Sequence, residues 1–150
     1  MKSIIKLDLD DISYYKLMKI IDKIKQYSSF KEIDVKSSPR LDGYHVRIKT
    51  FWKLKDIVIF KYRLEFGDDT KRLCKDMLTD NPKIRDVLYN EKIKYVNNQE
   101  FVFKEVDMFK YVKETPESEW QKIPKGSVKN FKQELLQWQQ SLLIYCAHQE

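Results

Sequence analysis

The chain has 150 residues, 42% hydrophobic and 35% charged, with a net charge of +6. That is long enough for one domain with a real core and too apolar for a disordered chain. No apolar run approaches the ~20 residues of a membrane span, and Cys74 and Cys146 have neither zinc spacing nor a disulfide framework.

Residues 2–8 read as a buried, central strand. Residues 12–26 read as a helix, because Leu17, Ile20, Ile21 and Ile24 make one apolar face. Asp11 is placed to cap it. Residues 30–36 and 44–50 read as an antiparallel hairpin around a turn from Pro39 to Gly43. The helical pattern returns from Leu54 to Phe66, with Ile57, Phe60 and Leu64 on the repeating face, and stops at Gly67. Asp68 or Asp69 then caps a helix to about Leu78, and Asn81-Pro82 breaks it. Residues 86–95 and 100–109 alternate like strands about an Asn97-Asn98 turn.

A polar linker with Trp120, over 116–127, leads to a long helix over 128–147 striped by Phe131, Leu135, Trp138, Leu142 and Tyr145. The stripe is expected to cover the domain itself, since 150 residues need that area for a full core, with a homodimer of two such helices as the alternative. The string β-α-β-β-α-α-β-β-α predicts a single α+β domain. Its core spans 1–115, with helices packed on a mixed or antiparallel sheet, followed by the linker and the C-terminal helix. Charges break the apolar stretch from Met1 to Asp8 too early for a signal peptide, so the cytoplasm, or a host's cytoplasm for a viral protein, is expected.

Asp8 and Asp10 are alternate residues at a strand end, so both carboxylates can reach one point. Hard-oxygen pairs of that kind bind Mg²⁺ or Mn²⁺. The same residues also read simply as a strand end followed by a helix cap. A third acid is to be found among Asp68, Asp69 and Asp76, with Asp69 taken as the third metal ligand. Gly67-Asp68-Asp69 equally reads as a helix stop and cap, and Arg72–Asp76 as a surface i,i+4 pair. Arg40, Arg47, Lys49 and Lys53 interleave with Phe51 and Trp52. Cations neutralise phosphates and aromatics stack bases, so a nucleic acid, DNA first, is the expected partner. A solvated strand face is the plainer alternative.

The order Asp8-x-Asp10, then Ser37-Ser38, then Gly43-Tyr44-His45-Val46, then a later acid, resembles the archaeo-eukaryotic primase superfamily in a minimal form. Residues from Arg63 to Asp76 are also similar to a segment of uncharacterised proteins of archaeal viruses and plasmids. The resemblance covers residues 2–109. It implies divalent metals held by the carboxylates and a His45 that contacts an incoming triphosphate, hence nucleotidyl transfer with Asp8, Asp10 and His45 as catalytic residues. The chain departs from the pattern in two ways: seven residues separate Ser37 from His45, and no zinc module is present. A small metal-dependent DNA nuclease would use the same centre, since hydrolysis only replaces the attacking group with water. A non-catalytic viral protein that binds nucleic acid or a host protein is the alternative from another class.

Overall fold

The computed structural model describes residues 2–39, 43–81 and 87–125. Arg40 and the helix expected over 128–147 lie outside these residues. In chain order the elements are β1 (Ile4–Asp10), α1 (Tyr14–Ile24), β2 (Phe30–Ser37), β3 (Gly43–Thr50), α2 (Asp56–Glu65), α3 (Thr70–Leu78), β4 (Glu91–Val96), β5 (Gln99–Lys104), β6 (Val106–Val112) and β7 (Gln121–Pro124). A five-stranded sheet runs in the order β1-β3-β2-β6-β7, and β4 and β5 form a separate hairpin. Every pairing among the described residues is antiparallel, so the α+β reading holds in its antiparallel form.

Period-2 alternation makes the sheet two-sided. Ile5, Leu7 and Leu9 of β1, Ile33 and Val35 of β2, and Val46 and Ile48 of β3 are all buried in one layer. Leu17, Ile21 and Ile24 of α1 close over it, joined by Ile59, Phe66, Phe109 and Tyr111. The residues between them, Asp8, His45, Arg47 and their neighbours, are thereby forced to the opposite, polar face. Among the described residues no helix is long and apolar enough to cross a membrane.

Four local expectations are corrected. Helix α1 is capped by Ser13, whose hydroxyl accepts from the Lys16 amide at 3.1 Å, while Asp11 takes a left-handed turn conformation with φ 52°. β1 is an edge strand rather than a central one. α2 turns a different face inward: Ile59 and Arg63 are buried, while Ile57 and Leu64 are exposed. Its orientation follows a buried guanidinium rather than an apolar stripe. The segment read as a linker contributes β7, and Trp120 packs on the core with its Nε1–H donated to the Lys25 carbonyl at 2.9 Å. By contrast, Asn97 and Asn98 form the expected hairpin turn, both with positive φ.

Candidate metal centre

Asp8 lies directly opposite His45 in the β1–β3 ladder, and Asp10 opposite Gly43. Facing residues of adjacent antiparallel strands share a side. His45 Nε2 accordingly sits 3.5 Å from Asp8 Oδ1, and its Nδ1 sits 3.0 Å from Glu105 Oε1. Gly43 is required by close approach: a Cβ there would meet the Leu9 carbonyl at 2.4 Å and Asp10 Cα at 3.0 Å. Any larger residue would push the end of β1, and Asp10 with it, out of place.

The third carboxylate comes from the corner between α2 and α3. Gly67, with φ 84°, is the left-handed residue after α2. Its amide bonds the Leu64 carbonyl and the Asp68 amide bonds the Arg63 carbonyl, a Schellman closure. The chain thus reverses onto β1, where the Asp69 amide donates to the Asp8 carbonyl at 3.1 Å. Asp69 caps α3, its Oδ1 accepting from Lys71 at 2.9 Å and Arg72 at 3.3 Å. Asp8, Asp10 and Asp69 each bring one ligand atom to within 4.8 Å of the others.

Of the competing acids, Asp68 and Asp76 serve the framework. Asp68 is buried and accepts from the Asp8 amide at 2.8 Å, the Asp69 amide at 2.9 Å, Arg63 Nε at 2.6 Å and Arg72 Nη1 at 2.9 Å. Asp76 pairs with Arg63 at 2.8 Å, and both are buried. The expected surface pair is therefore part of an interior ion network. Arg72 also donates to the Lys6 carbonyl at 2.9 Å, so this corner occupies the free edge of β1 at Lys6 and Asp8.

Electrostatics favour ionised groups. Burial pushes the Asp8 carboxyl up, but the His45 imidazole, a side-chain hydrogen bond with Asp10 and the Arg72 guanidinium together outweigh it and hold it below the usual range. Burial pushes His45 down, yet Asp8 and Glu105 raise it above an ordinary histidine. Asp8 Oδ1 is buried and makes no hydrogen bond. A buried carboxylate oxygen whose nearest partner is His45 Nε2 at 3.5 Å, beside two further carboxylates, is the chemistry a hard cation satisfies, so the residues fit Mg²⁺ or Mn²⁺. All three acids and His45 line a cavity of about 530 Å³, which Ser38, Arg72, Lys75 and Lys92 also border. The buried hydroxyls of Ser37 and Ser38 make no hydrogen bond.

The expected nucleic-acid contacts are not gathered in the same way. Arg47 is held by Glu105 at 2.8 and 3.0 Å, and Lys49 by Glu32 at 3.2 Å. Lys53 is exposed just beyond the far end of β3, and neither it nor Lys49 lines the cavity. Glu105 is not among the site residues that the motif order picks out, because it stands 60 residues from His45 with no motif to mark it. Comparison with known proteins finds no match: no protein-family model, no curated protein and no solved structure.

Glu105 also sets an acid limit on stability. Burial pushes its carboxyl up, but His45 and Arg47 outweigh this and bring it to about 2. In an unfolded chain the group titrates near ~4.3. The folded value is the lower one, so the stabilisation is complete above about pH 4.5 and drains away as pH falls towards about 2. About 3 kcal/mol is at stake. Urea unfolding across this range should show a steep acid limb that Glu105→Gln flattens; an identical limb in both proteins would contradict the assignment.

Proposed function

We propose that the chain is a metal-dependent enzyme acting on nucleic acid, of a primase-like nucleotidyltransferase type, with Mg²⁺ or Mn²⁺ at Asp8, Asp10 and Asp69. The observation that carries this is the convergence of those acids, from β1 and the cap of α3, beside a buried His45 in one cavity. It supports the order of elements on which the primase resemblance rests, because His45 stands on the carboxylate side of the sheet.

A divalent cation would supply charge neutralisation at the attacking and leaving oxygens of phosphoryl transfer. The chain's own residues do the rest. Asp8 and Asp10 are fixed by the β1–β3 ladder, and Asp69 by its capping bonds. His45, held between Asp8 and Glu105, offers a proton on the cavity side when Nε2 is protonated. Arg72, Lys75 and Lys92 border the same space with positive charge suited to phosphate. DNA in the cytoplasm of the cell or host is the proposed substrate.

Incubation with labelled linear, circular and single-stranded DNA, with Mg²⁺ or Mn²⁺ and with or without nucleotides, tests the reading. Nucleotide-dependent longer products are expected. Shorter products would assign a nuclease to the same centre. No product of either kind with either metal would leave a non-catalytic binding protein.

A further inference from the structure

We infer that Glu105 is the positioning residue of this centre: it grips the His45 imidazole at Nδ1 and thereby aims Nε2 at Asp8 and the cavity. Its effect on catalysis rests on the function proposed above; the grip itself rests on geometry. An ionised carboxylate only accepts hydrogen bonds, so the ring nitrogen facing it must carry the proton. The 3.0 Å contact therefore fixes Nδ1 as N–H and removes the ring flip that would exchange the two nitrogens.

Glu105 can act as a fixed point because it is itself immobilised. Its side chain is 5% exposed, and the Arg47 guanidinium takes both of its oxygens, at 2.8 and 3.0 Å. Arg47 lies two residues along β3 from His45, on the same face, so one carboxylate bridges both side chains of one strand. From the other direction, the Glu105 amide donates to the Asn90 carbonyl at 2.8 Å. That bond closes the root of the β4–β5 hairpin, whose first residues Glu91, Lys92 and Ile93 form a wall of the cavity. Glu105 is not itself among the cavity-lining residues. It thus joins the hairpin wall to the histidine without touching what the cavity holds. Carboxylate partners of this kind set ring orientation in other histidine sites.

Imidazole ¹⁵N spectra of the full-length chain test this directly. The sequence has two histidines, and His148→Gln removes the other signal. A protected Nδ1–H is expected for His45. In Glu105→Ala that signal should vanish and kcat should fall roughly 10- to 100-fold, with KM for DNA and Mn²⁺-dependent stabilisation nearly unchanged. Glu105→Gln, whose amide oxygen still accepts, should keep the signal and recover much of the rate. A protected Nδ1–H that persists in Glu105→Ala overturns the inference. So does a loss of Mn²⁺ stabilisation as large as the loss of rate, which would make Glu105 a ligand. If Glu105→Ala does not fold, the Gln variant decides, and absence of its ring signal counts against the assignment. A wild-type protein with neither Mn²⁺ stabilisation nor product would refute the metal centre alone, while the ring signal would still judge Glu105.

Discussion

Asp10→Asn and Asp8→Asn should each remove the response of the protein to Mn²⁺. With metal at about 100 times its dissociation constant, the wild-type chain should gain about 2.7 kcal/mol by linkage. For a chain of this size that raises Tm by roughly 5–10 °C. Each variant should lose most of this gain, because each removes one negative charge from the three carboxylates that converge there. Product formation should fall to background in both. The fold should survive, since Asp8 is only partly buried and the ladder around it is backbone. Thermal melts with and without Mn²⁺, with circular dichroism as a control for folding, provide the check. A variant that keeps the full metal-dependent shift would place the cation elsewhere.

How much of this centre was legible beforehand depends on whether its geometry was local. The Asp8–Asp10 pairing was readable because strand periodicity alone puts both on one side. The face shared by His45, Arg47 and Lys49 followed from the same rule. Asp69 was readable only as one of three competing acids. What separates it from Asp68 is the conformation of Gly67, which swings one carboxylate into the framework and the next into the cavity. The inward face of α2 was not readable, because Arg63 is buried by partners that lie beyond the helix. β7 escaped notice because Gln121, Lys122, Ile123 and Pro124 are all exposed and carry no alternation of burial. No motif ties Glu105 to His45: its role is written in a contact with β3, not in its neighbours.

Asp68→Ala should be the most damaging single change in the described structure. It would remove one carboxylate from the buried Arg63, break the Arg72 ion pair and take the side-chain acceptor from the Asp8 and Asp69 amides. Breaking a buried ion pair from one side costs about 3–5 kcal/mol. Against a total stability of roughly 5–15 kcal/mol, that brings the chain close to unfolding. Urea titration should show the midpoint falling steeply, and the metal response should disappear even though no ligand has been changed. A loss below about 1 kcal/mol would mean that the network is dispensable. Asp68→Asn should fall between the two, since it keeps the shape and one acceptor while losing the charge.

The same corner has a consequence for solution behaviour. The outer rim of β1 is a row of peptide groups carrying Ile4, Ile5, Leu7 and Leu9, the composition that templates intermolecular strand addition. Asp68, Asp69 and Arg72 occupy that rim at Lys6 and Asp8. They therefore act as a stopper against polymerisation as well as a support for the cluster. Chains in which the corner is loosened should be lost to fibrillar or amorphous association before global unfolding is complete. Light scattering, not circular dichroism, would be the first signal to move.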